Sequence, residues 1–236
     1  MRIKSTVIGI LLTTISLVTN GQDTPSIQIA DSLFASQKYT EAFDIYENIL
    51  DADQASPSML LKMAFIQDAS GNYTDALFYL DLYYRTSADR HAVGKIEEIA
   101  EEHQLSGYQY DDTHYFLALF EKYKYQFIIL LMSIAVMLLV YVARKSRGGE
   151  KSYAALIFQF FTVALLLLAI NFQGTKNGII ANDQTLLRSG PSAGAEPLEV
   201  ISKGHKVTII ERDDIWTKII WDGDEAYVRN HRIKLI

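Results

Sequence analysis

The chain has 236 residues, with 22 basic and 28 acidic side chains, a formal charge of −6 and no cysteine. That length leaves room for one or two small domains but not for a large enzyme core, and the missing cysteines exclude disulfides, thiolate catalysis, Cys-ligated zinc and bacterial lipidation. The charge is uneven: residues 22–125 carry 18 acidic and 7 basic side chains, residues 144–152 carry 1 and 4, and residues 173–236 carry 9 of each. Without a basic stripe to displace phosphate counterions, this distribution argues against a nucleic-acid partner.

Arg2 and Lys4 precede the apolar stretch Val7 to Val18, which gives way to small and polar residues ending at Gly21. This is the layout of a secretory signal peptide, expected over residues 1–21 with removal after Gly21. The alternative is an uncleaved third membrane helix. In either case the segment that follows is exported.

Residues 22–110 contain an internal repeat. Tyr39-Thr40-Glu41-Ala42-Phe43 returns 34 residues later as Tyr73-Thr74-Asp75-Ala76-Leu77, and the same offset pairs Ala30 with Ala64 and Glu47 with Asp81. A period of that length predicts pairs of antiparallel helices, with the small alanines allowing close approach and Tyr39 and Tyr73 filling the gaps between units. A further offset of 34 reaches Gly107 and Tyr110, so the repetition ends after two units. Val93, Ile96, Ile99, Ala100 and Leu105 then recur at helical spacing and predict a capping helix, with Glu97, Glu98, Glu101 and Glu102 on its solvated side. At these positions the sequence resembles a degenerate tetratricopeptide repeat, with Gly71 at the turn of the second unit and Gln37 at that of the first. The resemblance implies a concave protein-binding groove lined by Asp31, Phe34, Phe65 and Asp68. The two phenylalanines are alternatively ordinary core residues.

Residues 111–126 are rich in aromatics, among them Tyr115, Phe116, Phe120, Tyr123 and Tyr125, as expected for an approach helix anchored at a headgroup boundary. Two uncharged apolar runs follow, 127–143 and 153–172. As helices they reach roughly 26 and 30 Å, against a hydrocarbon core about 30 Å thick. They predict a transmembrane hairpin around the turn 144–152, whose Arg144, Lys145, Arg147 and Lys151 favour a cytoplasmic location. Both flanking portions are then expected on the periplasmic side of a bacterial inner membrane.

Residues 173–236 change to short β-rich runs. Strands are expected at Gly178–Ala181, Thr185–Arg188, Lys206–Glu211, Thr217–Trp221 and Glu225–Val228, with Asp222-Gly223 as a hairpin turn. Leu187-Arg188-Ser189-Gly190-Pro191, Lys203-Gly204, Trp216-Thr217-Lys218-Ile219 and Ala226-Tyr227-Val228 together resemble a bacterial SH3-like barrel. The resemblance implies a ligand surface of Arg188, Trp216 and Tyr227. Trp216 is alternatively the plug of the barrel core.

The fold class expected is therefore a multidomain membrane protein: an α-helical tetratricopeptide-like solenoid, a transmembrane α-hairpin and an all-β SH3-like barrel. His91, His103, His114, His205 and His231 share no metal-binding spacing, and phosphate-binding glycine motifs and nucleophile elbows are absent. No catalytic, cofactor or metal site is expected, and the chain reads as a non-enzymatic binding protein. In the order of its parts the whole chain resembles the BatE-type family of the aerotolerance operon of Bacteroidetes. That resemblance implies an adaptor whose partners are other membrane or periplasmic proteins, including von Willebrand factor A type proteins. Peptidoglycan is the alternative ligand, reached through the SH3-like portion.

Overall fold

The computed structural model describes residues 25–148, 153–172 and 174–236, so the expected signal peptide lies outside the described residues. Five helices come first: α1 Pro25–Ala35, α2 Tyr39–Asp51, α3 Pro57–Ala69, α4 Tyr73–Ser87 and α5 Arg90–Glu102. Their boundaries have local causes. Gln37 and Gly71, 34 residues apart, both take the left-handed conformation (φ 62° and 76°) that ends one helix before the next begins. Pro57 opens α3 behind Ser56, whose hydroxyl accepts the Met59 amide, and the Asp89 carboxylate caps α5 by accepting the His91 amide. The alanines singled out by the repeat are buried: Ala30, Ala42, Ala64 and Ala76 are at most 2% exposed. They sit beside Tyr46, Met59, Leu60, Met63 and Leu77, so consecutive helices approach closely along small residues while large ones fill between them.

Two helices carry the apolar runs, α6 Asp112–Arg147 and α7 Tyr153–Asn171. Both are long and apolar enough to cross a membrane, and most of their large apolar side chains, from Ile129 to Ile170, are exposed. The approach segment and the first apolar run are one continuous helix. The chain divides into two units. One contains Tyr123–Phe172, in which Leu131, Thr162 and Ala169 are buried and the Lys124 ammonium donates to the Phe172 carbonyl at 2.9 Å.

The other unit joins the five helices, the start of α6 and the whole β portion. Its sheet has seven antiparallel strands: β1 Lys176–Ile180, β2 Thr185–Arg188, β3 Pro197–Ile201, β4 Lys206–Arg212, β5 Trp216–Trp221, β6 Asp224–Arg229 and β7 Ile233–Leu235. They are ordered β3-β2-β6-β5-β4-β1-β7. Asp222 and Gly223, with φ 51° and 89°, make the tight turn between β5 and β6 that the Asp-Gly pair predicts. Strands β3 and β7 were not legible in the sequence. Residues 197–200 are exposed throughout and lack buried/exposed alternation, and β7 has three residues behind a single 3₁₀ turn, Asn230–Arg232.

Strand β1 lies between two cores. Ile180 belongs to the β core with Leu187, Val207, Ile209, Ile219 and Val228, whereas its neighbour Ile179 is fully buried in the helical core. Alternation along one strand thus sends successive side chains into different portions. At this seam Lys206, the first residue of β4, places its ammonium 2.6 Å from Asp81 Oδ1 on α4, with side-chain exposures of only 8% and 1%. Tyr110 donates its hydroxyl to the same Asp81 oxygen and accepts from Lys206 Nζ at 3.0 Å. The Lys206 ammonium also lies 4.6 Å from the Tyr110 ring centre. Burial, followed by the adjacent Asp81 charge, drives the Tyr110 hydroxyl far above its ordinary range, so it stays protonated and able to donate.

Around this pair, the Tyr108 hydroxyl donates to the Gly204 carbonyl at 2.6 Å, the Lys206 amide donates to the Ser106 carbonyl, and Lys234 on β7 reaches Asp75 on α4 at 2.6 Å. Gly204 (φ +96°) is required here, because a Cβ would lie 2.9 Å from the Tyr73 ring and 3.0 Å from Leu105.

A buried charge that loses its partner costs more than the pair contributes. Asp81→Ala is therefore expected to destabilise this unit by about 3–5 kcal/mol, while the apolar exchange Asp81→Leu with Lys206→Met recovers most of the loss. Denaturant titration of the solubilised chain, followed by tryptophan fluorescence, checks both outcomes.

Candidate ligand-binding surfaces

The four positions expected to line a groove lie on α1 and α3. Phe34 packs edge-on against Tyr39 (ring centres 5.4 Å apart) and Phe65 (5.8 Å), and Tyr39 closes the triangle with Phe65 at 6.0 Å. Phe65 is 52% exposed and Phe34 is half-buried, so neither is a fully buried core residue. Asp31 is committed within the fold: its Oδ1 accepts from the Tyr46 hydroxyl at 2.6 Å and pairs with Lys62 at 2.7 Å. Burial opposes its charge, but hydrogen bonds from Lys62 and Tyr46 outweigh that and hold the carboxyl below the ordinary range. Asp68 pairs with Lys95 at 3.3 Å. The structure thus brings three of the four residues together, Phe34 and Phe65 ring to ring and Asp31 through Lys62, which also lies 5.8 Å from the Phe34 ring centre. Tyr39 and Lys62 complete the cluster, and the sequence pattern did not single them out for this role.

On the β portion, Arg188, Trp216 and Tyr227 share the outer face of strands β2, β5 and β6. Core positions on these strands are Leu187, Thr217, Ile219, Ala226 and Val228, all buried, so their neighbours point outward. Arg188 lies directly opposite Tyr227, Tyr227 opposite Lys218, and Trp216 opposite Arg229. Trp216 is half-buried and is not among the side chains of the β core, whose interior is filled chiefly by isoleucine, leucine and valine. The Arg188 guanidinium donates to the Ala195 carbonyl at 2.7 Å and holds the loop before β3.

The accessible cation is Arg229, stacked over the Trp216 ring at 5.6 Å. Lys218 is tied to Glu225 at 2.7 Å. The period-two alternation Trp216/Lys218 and Tyr227/Arg229 was the signal in the sequence that assigns all four to one face.

A third feature depends on both portions of the unit. An open cleft of about 610 Å³ runs between residues 106–109 and the sheet, lined by Gln109, Asn177, Glu199, Thr208, Trp221 and Asp222 among others. Trp221 packs against the β core, and its indole N–H donates to Glu199 Oε2 at 2.7 Å, joining the end of β5 to β3. Beside it, the His205 ring stands edge-on to Trp221 at 5.1 Å, and its Nδ1 accepts the Ser106 amide at 3.0 Å. That bond requires an imidazole unprotonated at Nδ1.

Among the described residues, no group of three or more His, Asp or Glu side chains is arranged to hold a metal ion. Residues 184–234 match the family model described as the bacterial SH3 domain, covering β2 through most of β7. No curated protein and no solved structure matches the chain.

Desolvation lowers the His205 pKa below 6.5, with Glu199 acting in the opposite sense. As pH falls below that value the unfolded chain takes up a proton that the folded chain refuses, so stability declines through the window beneath pH 6.5. His205→Asn places a carboxamide oxygen where Nδ1 accepts. It is expected to keep the Ser106 bond and flatten the decline, as denaturation midpoints at about pH 7.5 and about pH 5.5 will read out.

Proposed function

We propose that the chain is a non-enzymatic, two-span membrane adaptor. It presents a tetratricopeptide-like helical portion and an SH3-like β portion together on the periplasmic side, within a Bat-type complex whose other members include von Willebrand factor A type proteins. The observation that carries this reading is the buried Asp81–Lys206 pair. Asp81 precedes both apolar helices and Lys206 follows both, yet their charged atoms lie 2.6 Å apart. If those helices cross a bilayer, the chain must cross an even number of times between the two residues. A hairpin meets that condition and a single crossing does not. The basic residues near the turn, Arg144, Lys145 and Arg147 at the end of α6, support a cytoplasmic turn.

For the β portion, the match to a bacterial SH3 domain supports a binding role, and the outer face offers Trp216, Tyr227 and Arg229 to a protein ligand. Aromatic residues with an arginine are the side chains that dominate protein interfaces. The same match supports a second reading, docking on peptidoglycan through this face.

Because the natural chain has no cysteine, single replacements report topology directly. Ser36→Cys and Ser192→Cys are exposed positions in the helical and β portions, and Ser146→Cys is exposed near the turn. In intact cells a membrane-impermeant maleimide is expected to label the first two once the outer membrane is permeabilised, and to leave the third unlabelled. Opposite labelling of residues 36 and 192 would falsify the hairpin.

Crosslinking mass spectrometry in the native envelope is expected to recover membrane-protein partners, with Trp216→Ala lowering capture through the β portion by about tenfold. Retention of the wild-type chain on purified sacculi, lost with Trp216→Ala and unaccompanied by protein crosslinks, would favour the peptidoglycan reading instead.

A further inference from the structure

Among the described residues strand β3 ends the sheet order and pairs only with β2, so its other edge carries unpaired backbone groups. Leu198 and Val200 are 52% and 59% exposed. Val200 lies opposite Leu186 and is set on the outer face, Leu198 sits at the bulge where the register with β2 shifts, and Glu199 lies opposite the core residue Leu187 and reaches across to Trp221. One short strand therefore exposes two apolar side chains and places a carboxylate between them in sequence where the cleft begins.

The charges around that cleft are unequal in availability. The Lys206 ammonium is withdrawn into its bonds with Asp81 and Tyr110, and the His114 ring is held by Asp111 at 2.6 Å. Glu199 and Asp222 flank the Trp221 indole and form no ion pair among the described residues, so the cleft attracts positive charge. An aromatic face between two carboxylates suits the methylene stem and ammonium of a lysine-like side chain.

We propose that the free edge of β3 and the Trp221 cleft form one docking site for an extended peptide whose side chains alternate between apolar and basic. Added as an eighth strand, such a peptide makes main-chain hydrogen bonds to β3. Its period of two sends apolar residues over Val200, beside the exposed Leu198, and basic residues toward Glu199, Trp221 and Asp222. This site is separate from the outer aromatic face of β5 and β6 and does not depend on the adaptor reading. It uses residues 106–109 as one wall of the cleft, so it exists only when the helical and β portions are joined.

The test uses the full chain in phosphatidylcholine nanodiscs and a capped, alternating valine–lysine octapeptide as probe. Calorimetry is expected to show saturable binding, and hydrogen exchange is expected to slow at the amides of Pro197–Ile201 that carry an N–H. The paired change Glu199→Gln with Asp222→Asn, both at the surface, is expected to weaken binding by about tenfold or more. A probe N-methylated at alternate residues loses the exchange protection, and an alternating valine–glutamate peptide does not bind.

The proposal is overturned if the valine–lysine peptide fails to bind, or binds the doubly substituted chain equally well. It is also overturned if protection falls on the acidic helix α5 instead, or if raising the concentration of the protein alone protects β3, which would identify a second copy as the occupant.

Discussion

The ion pair between Asp81 and Lys206 constrains everything else in this protein. Its partners are separated by both apolar helices, and neither carries enough exposure to be solvated by water. An ammonium and a carboxylate removed from water persist only when each neutralises the other and nearby groups supply further bonds. Here the Tyr110 hydroxyl serves both partners at once, donating to Asp81 and accepting from Lys206. The pair contributes less to net stability than its proximity suggests, because desolvation offsets much of the attraction. What the pair fixes is a contact, tying the start of β4 to α4 across 125 residues of chain.

The surrounding seam shows how the chain makes room for that pair. At Gly204 the backbone takes a left-handed conformation and approaches Tyr73 and Leu105 more closely than a side chain allows. Tyr108 closes the contact from the helical side by binding the Gly204 carbonyl. His205, next in sequence, contributes its ring nitrogen as an acceptor for Ser106. A run of three residues, Gly204 to Lys206, thus meets the connector 105–110 through a carbonyl, an imidazole and an ammonium. Each contact is polar, short and directional, so the joint resists rotation more than an apolar contact of similar area would.

Joining the two portions changes what either can do. Two binding modules on separate flexible tethers gain avidity through effective concentration alone, whereas modules locked in one unit present their surfaces at a set spacing. In this unit the aromatic patch around Phe34, Tyr39 and Phe65 and the face carrying Trp216, Tyr227 and Arg229 belong to one body. A partner engaging both must match their spacing, which favours a folded protein or a repeating surface over a short free peptide.

Local patterns in the sequence determined a good deal by themselves. Helix starts and stops, the buried alanines, the two apolar helices and the Asp222-Gly223 hairpin follow from propensities and periods that act over a few residues, and those are written in contiguous sequence. The outward direction of Trp216 was also encoded, in the alternation with Thr217 and Ile219, although a lone tryptophan in a small β domain reads equally well as core. What only the tertiary structure decided depends on residues distant in the chain. Asp81 reads like its repeat equivalent Glu47, a solvated helix carboxylate, until Lys206 arrives from 125 residues away. That Arg188 holds the Ala195 carbonyl is likewise not visible in the strand pattern. Pairing of charges, burial of a strand between two cores and the cleft at Trp221 are set by which surfaces meet, and no local window of sequence carries that information.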